Sequence, residues 1–351
     1  MLIRPKKLSI DPKNPFALDR MERNKSATLL TQLLERVDTP FVLALDAKWG
    51  NGKTTFVEMW RYHLSARHIR NLYFNAWETD YSADPLIAFI GEMGAAIKNY
   101  GKPSTRLTKA WKKVKAAGIV LAKRAFPVAA KVGTAGVLDL DSLSEQALAG
   151  LAADIAKDRI EKYERDKKTV KGFRAQLQEF VKILSEEEFE DGSKERLVFI
   201  VDELDRCRPT YTVELLERIK HFFDVDGLIF VLALDKEQLG HSIRAVYGAG
   251  IDVDGYLRRF LDLEYKLPSV ANAKFVVYLS EQYQLAEALR RAGYLNQDRA
   301  IPSALDMFKH LAAVFHLSLR AQEQCFAGII VSLLTNRLDL YLWFFVALAV
   351  N

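Results

Sequence analysis

The chain has 351 residues, half of them hydrophobic and 27% charged, with a formal net charge of +5. That balance can bury a substantial core and excludes collagen-like, disulfide-scaffold and bulk-disordered classes. Cys207 and Cys325 are the only cysteines, so no disulfide framework exists, and two free, buried thiols in a reducing compartment are expected.

The first residues, Met1 to Lys7, contain no apolar stretch suited to a secretory signal, which predicts a cytoplasmic protein. Residues 41–45 form the first short run rich in Val, Leu and Phe, and a helix is predicted over 54–65. A second such run covers 71–75. Asp84-Pro85 then reads as a helix N-cap with proline at the first helical position, ahead of a helix over 86–97.

A long excursion follows, from 98 to 195. Between Glu92 and Asp139 there is no acidic residue, while Lys98, Lys102, Arg106, Lys109, Lys112, Lys113, Lys115, Lys123, Arg124 and Lys131 fall in that span. A charged helical part follows over 143–185, then an exposed acidic connector over 186–194. Further apolar runs lie at 197–201, 228–234 and 261–267, with an amphipathic helix over 211–223 between the first two. Apart from 261–267, none of the runs alternates with polar residues, as expected of strands covered on both faces in a parallel sheet. After Leu267-Pro268 the chain reads as helix.

The predicted fold is therefore α/β: a mostly parallel sheet flanked by helices, with a helical insertion and a helical C-terminal region. The expected segments are 1–97 and 196–268 for the two parts of the core, 98–195 for the insertion, and 269–351 for the terminal helices. Apolar residues 116–138 are interrupted by Lys123, Arg124 and Lys131, and 338–350 are too few. A membrane span needs about 20 largely uncharged residues, so neither qualifies.

Two motifs carry chemistry. Ala47-Lys48-Trp49-Gly50-Asn51-Gly52-Lys53-Thr54 matches G-x-x-x-x-G-K-[ST] except that Ala47 replaces the first glycine. Gly50 and Gly52 let the backbone curl so that successive N–H groups face phosphate oxygens at a helix N-terminus. Lys53 is expected at the β- and γ-phosphates and Thr54 on Mg2+. Trp49, Gly50, Asn51, Gly52, Lys53, Thr54 and Thr55 are the expected nucleotide contacts.

The second motif is the apolar run 197–201 ending in Asp202-Glu203, which delivers two carboxylates to the edge of a parallel sheet where ligands bind. Asp202 is expected to hold Mg2+ through water. Glu203 is expected to orient and deprotonate an attacking water. None of the six histidines has a metal-ligand spacing to a second histidine or cysteine, so all are read as structural or surface residues.

Together these blocks resemble the KAP family of P-loop NTPases. The resemblance rests on Lys48-Trp49-Gly50-Asn51-Gly52-Lys53-Thr54, on Asn75-Ala76-Trp77 followed by Asp84-Pro85-Leu86, and on Asp202-Glu203-Leu204-Asp205-Arg206-Cys207. Phe230 to Asp235, Tyr256-Leu257 and Ser318-Leu319-Arg320 add to it. It implies an additional-strand P-loop domain related to the AAA and STAND ATPases, with ATP as the nucleotide. Many relatives carry transmembrane segments between the two motif strands, where this chain has its charged insertion. Family members include proteins that exclude phage and scaffolds in animal signalling, so a phage-linked role is one expectation.

By analogy with such ATPases, Asp235 would face the γ-phosphate or the water, or else cap the helix that follows it. Arg259, or Arg258 beside it, would reach the γ-phosphate of a neighbouring subunit in a homo-oligomer, or pair on the surface. Arg206 and Arg208 would pair with Asp205 or Asp202, or sense nucleotide. Arg320 would be a second sensor from the helical region. The alternative to an ATPase is a slowly turning nucleotide-dependent scaffold, or a binding module. In the latter, residues 98–131 dock nucleic acid or an anionic membrane surface, placing the protein at the inner face of a membrane. Trp111 and Phe126 would insert there or pack.

Overall fold

The sheet is built from five parallel strands: β1 (Phe41–Asp46), β2 (Arg70–Asn75), β3 (Leu197–Asp202), β4 (Leu228–Leu234) and β5 (Leu263–Lys266). Their order is β2-β3-β4-β1-β5, so β4 lies between the two strands that end in the motifs. The protein is described from a computed structural model covering residues 9–82, 84–99, 104–125, 145–186, 196–222, 224–268, 272–291 and 300–334.

The non-alternating runs become strands covered on both faces, and β3 and β4 are buried along their whole lengths. Alternate residues feed opposite layers. Leu72, Phe74, Phe199, Val201, Phe230 and Leu232 pack under α3 (Pro85–Asn99), α6 (Pro209–Phe222) and α7 (Lys236–Tyr247). Leu43, Leu45, Val198, Ile200, Ile229 and Val231 pack under α1 (Arg23–Leu34) and α2 (Lys53–Ala66). The first layer centres on Phe89, whose ring lies 4.3 Å from Phe199 and 6.2 Å from Phe230. Removing a ring so buried costs about 3–5 kcal/mol.

Residues 261–267 were expected to form a strand like the others. The observed β5 is shorter and three of its four residues are exposed, because among the described residues it is the edge strand and pairs only with β1. Asp262 fixes its start by accepting the Val42 N–H at 2.8 Å.

The insertion is a hairpin of α4 (Thr105–Ala125) and α5 (Glu145–Glu186) laid on α3. Leu107, Ala110, Val114 and Leu121 of α4 meet Phe173, Leu177 and Phe180 of α5 in the main core. A Cβ at Gly118 would lie 2.1 Å from Ile90 Cδ1, so the glycine lets this helix pack closely on α3 without displacing that side chain. Trp111 packs on Phe180 with centroids 5.3 Å apart, which settles it as a packing residue; Phe126 lies outside the described residues. Lys109, Lys112, Lys113 and Lys115 stand on the outer face. Arg106 is tied to Glu186 at 2.7 Å.

A separate core joins α9 (Asn272–Gln282), α10 (Leu285–Arg291), α11 (Ala300–Val314) and α12 (Leu319–Leu334) around Leu279, Phe308, Phe326 and Ile330. No helix among the described residues is long and apolar enough to cross a membrane. Residues 186–194, except Glu186, and the apolar stretch 338–350 fall outside the described residues.

Candidate functional site

β1 carries the chain to the C-terminal edge of the sheet, where residues 47–52 curl back into α2. The left-handed residues of this loop are Gly50 (φ 77°) and Gly52 (φ 75°). Ala47 is not in that conformation and is held by its N–H on Leu234 O at 3.0 Å, so the alanine costs the loop nothing in backbone strain. Gly52 provides no side-chain cap for α2. The first amides of that helix therefore point outward with its positive dipole end, as anion-binding helix termini do.

The loop is braced from three sides. Asp235 takes the Trp49 N–H at 3.0 Å with one oxygen and caps α7 through Glu237 N (3.2 Å) and Gln238 N (3.4 Å) with the other. Both oxygens are thus committed to main-chain amides. Asp235 supports the loop from behind rather than lining the cavity in front of it. Arg23 donates to Asn51 O at 3.1 Å, and Asn51 N–H closes a turn on Lys48 O at 3.2 Å. Arg320, at the start of α12, donates its main-chain N–H to Gly50 O at 3.1 Å. A Cβ on Gly50 would lie 2.8 Å from Ser318 Oγ, so the terminal helices sit directly on the loop.

β3 brings Asp202 and Glu203 to the same edge. Asp202 has no exposed surface; it accepts Glu203 N–H at 2.8 Å and the Tyr73 hydroxyl at 3.2 Å. Burial pushes its carboxyl up to about 6; Lys53 pulls against this, and the neighbouring Glu203 adds to it. Burial and Asp202 together raise the Tyr73 hydroxyl far above its ordinary value. Glu203 adopts a left-handed backbone (φ 62°), strained for a non-glycine residue. Its Oε1 accepts the Thr54 hydroxyl at 3.0 Å, and its Oε2 lies 2.5 Å from Arg206 Nε.

Lys53 is 7% exposed, and its Nζ makes no hydrogen bond. The acid it pairs with is Asp205, at 3.5 Å, which also accepts the Trp49 indole N–H. Arg206 was expected to pair with Asp205 or Asp202, but it meets Glu203, because the left-handed turn at 203 brings these i,i+3 side chains together. Arg208 turns outward to Asp80 instead, donating its main-chain N–H to that carboxylate at 3.1 Å.

Lys53, Thr54, Thr55, Trp49, Gly50, Gly52 and Glu203 line one cavity of about 350 Å³. Its far wall consists of Met21, Met59, Phe275, Tyr278, Leu319, Arg320 and Glu323. Arg23 also lines it; this residue is 4% exposed and its Nη1 has no hydrogen-bond partner. Arg23, Phe275 and Tyr278 were not anticipated, since no spacing links them to the loop.

Arg258 and Arg259 are exposed and follow α8 (Val253–Leu257) at the opposite, N-terminal end of the sheet, where Leu263 pairs with Leu43. Arg259 lines a separate cleft with Glu217, Lys220 and Tyr247. It does not face this chain's own loop.

The oxygen donors fit a magnesium nucleotide. Thr54 and Asp202 offer two hard ligands, and no cluster of three His, Cys, Asp or Glu side chains able to hold a metal exists among the described residues. A cation at this edge must complete its shell with phosphate oxygens and water, which is the habit of Mg2+.

A phosphate-type loop between strand and helix, facing an acidic strand end across an intervening parallel strand, defines a P-loop nucleotide-binding domain. Residues 23–321 match the KAP family P-loop domain, and the chain belongs to that family. No curated protein matches it. Among solved structures it is similar to the Aeropyrum pernix ORC2 protein (ADPNP-ADP complexes). The likeness is at 13% identity, over 94% of this chain and 69% of that one, with a TM-score of 0.37, too loose to add to the assignment.

Proposed function

We propose that the chain is a Mg2+-dependent ATPase whose cycle drives a conformational or assembly switch. The observation that carries this reading is the convergence of Lys53, Thr54 and Glu203 on one cavity, with Asp202 hydrogen-bonded directly behind Glu203. The main-chain amides of Gly50, Gly52, Lys53 and Thr54 and the Lys53 side chain bind the phosphates, and Arg23 Nη1 offers one further donor. Thr54 and Asp202 hold the cation. When bound, Mg2+ supplies charge neutralisation on the β,γ oxygens. Glu203 takes the proton of the water that attacks the γ-phosphorus, and ADP leaves as the bridging P–O bond breaks.

Phe275 and Tyr278, stacked with centroids 5.9 Å apart, offer a flat wall to the base. ATP over GTP rests on the family resemblance. Arg259, exposed at the far end of the sheet, is placed to serve a neighbouring subunit in a homo-oligomer. A cytoplasmic location is part of this proposal. A role in phage defence follows from the resemblance alone and is tested by plaque counts on cells with and without the protein.

The test of the reading is Glu203→Gln. Phosphate release should fall by about 10²–10⁴ while nucleotide affinity stays near that of the wild type. Equal turnover in both proteins would remove Glu203 from the chemistry. One observation favours the slow-scaffold alternative: both Glu203 oxygens are engaged by Thr54 and Arg206. Nucleotide binding with no phosphate release at any protein concentration would decide for it.

A further inference from the structure

We propose that Arg206 is a latch on Glu203, set by the phosphate loop; this rests on the reading of Glu203 as the general base. Glu203 Oε2 lies 2.5 Å from Arg206 Nε, and Oε1 accepts the Thr54 hydroxyl at 3.0 Å. Oε2 makes no hydrogen bond, but the guanidinium stands against it as an ion pair, so while the pair holds, a water is kept from that oxygen and Thr54 occupies the other. The charge-assisted pair therefore opposes the step that Glu203 performs.

The latch is anchored to the loop. The guanidinium of Arg206 lies between two indoles, 5.8 Å from the Trp49 centroid and 5.7 Å from that of Trp77. Both rings are unusually exposed, at 43% and 52%. Trp49 belongs to the loop itself, and its indole N–H donates to Asp205, the carboxylate that pairs with Lys53 at 3.5 Å. One path of contacts thus runs from Lys53 through Asp205, Trp49 and Arg206 to Glu203.

Phosphate that draws Lys53 forward leaves Asp205, 4% exposed, without its cation. An uncompensated buried carboxylate is strongly disfavoured. Arg206, the next residue in the same turn, carries the charge that can replace Lys53. Its transfer from Glu203 to Asp205 frees Oε2 for the water, and the Thr54 hydroxyl turning to the metal frees Oε1. Occupancy of the loop is thereby coupled to readiness of the base, so Arg206 is a positioning residue and its partner change is the switch.

Arg206→Gln ends in a neutral amide at the Nε position and loses the guanidinium with its charge. Its phosphate release, its affinity for a non-hydrolysable ATP analogue and its tryptophan emission are compared with those of the wild type. The latch predicts turnover raised several-fold with affinity unchanged, and a gain that vanishes when Glu203→Gln is added. It also predicts an emission shift on analogue binding in the wild type that is already present without analogue in Arg206→Gln. Turnover that falls, or does not change, overturns the latch while leaving the ATPase standing. Analogue bound by both proteins with no phosphate released by either sinks the ATPase reading, and the latch with it. Should Arg206→Gln fail to fold, Trp77→Phe weakens one side of the cage and should give a smaller rise; no rise there overturns the latch as well.

Discussion

At the C-terminal edge of the sheet Lys53, Asp202, Glu203 and Asp205 are each less than 9% exposed, whereas at the N-terminal edge Arg258 and Arg259 stand in solvent. The buried charges hold one another: Lys53 pairs with Asp205, Glu203 with Arg206, and Asp202 with Tyr73 and a main-chain amide. Fold stability does not explain such a cluster, because buried ion pairs are weak contributors compared with apolar residues of the same shape. The arginines at the other edge cost the fold almost nothing. The contrast sets a charge cluster gathered within one chain against side chains that, on the proposed reading, serve a neighbouring subunit.

Arg259→Ala tests that separation with the largest expected effect. An arginine supplied in trans to a γ-phosphate is worth about 10³–10⁵ in rate. The variant should lose turnover on that scale, along with any rise of specific activity with protein concentration. An exposed side chain should leave stability within about 0.5 kcal/mol. Wild-type turnover in Arg259→Ala would confine the residue to its own surface cleft.

Lys53→Ala should lose nucleotide binding and also destabilise the fold, by less than the ~3–5 kcal/mol that an uncompensated buried carboxylate costs, because Arg206 can shift to Asp205. The two losses come apart in the double variant Lys53→Ala with Asp205→Asn: stability returns and binding does not. Calorimetric unfolding and nucleotide titration on the same samples check this. Stability that stays low in the double variant would break the assignment of Asp205 as the partner of Lys53.

The fold was legible where burial is symmetric. Residues 228–234 are covered on both faces, so an unbroken apolar run marks the strand to the residue. At β5, the edge strand, residues 261–267 alternate apolar and charged residues, and the span read there overstates a strand that pairs over Leu263–Lys266. Within the site, the loop and the acidic pair are local patterns and were readable as such. Asp235 was readable only as two alternatives, a cap or a sensor; its second bond, to Trp49, joins residues 186 apart in the chain. Arg23 and Tyr278 enter the cavity from opposite termini, a placement decided by docking of the terminal helices on Gly50. The Glu203–Arg206 pair is local, yet it depends on a left-handed glutamate that no propensity favours.

Asp202→Asn gives a smaller effect of opposite sign. Burial raises the Asp202 carboxyl from 3.8 to about 6, so at pH 7 the folded chain carries a charge its surroundings disfavour. The neutral isostere should gain about 3 kcal/mol of stability there and lose Mg2+-dependent turnover. A folded-state value above the unfolded one means that the cost is full above about pH 6 and fades as pH falls towards 3.8. The gain should therefore disappear below about pH 4. A melting temperature that falls at pH 7 would mean that Asp202 is held by its hydrogen bonds more strongly than burial opposes it.

The smallest effect belongs to the outer face of α4. Lys109, Lys112, Lys113 and Lys115 are exposed there, while the opposite face of the helix is spent on Phe173, Leu177 and Phe180. Replacing all four by glutamine should change stability by less than about 0.5 kcal/mol per site, because none supports the hairpin. If that face meets an anionic surface, wild-type protein should float with anionic vesicles at low salt, detach as salt rises, and fail to float once the lysines are gone. Retention of the variant on the vesicles would move the contact off this helix, and absence of wild-type binding at low salt would leave the lysines as a solvated face. In either case α3, α4 and α5 pack as before, since the apolar contacts that hold the hairpin lie on its buried side and its exposed ion pair, Arg106–Glu186, is left in place.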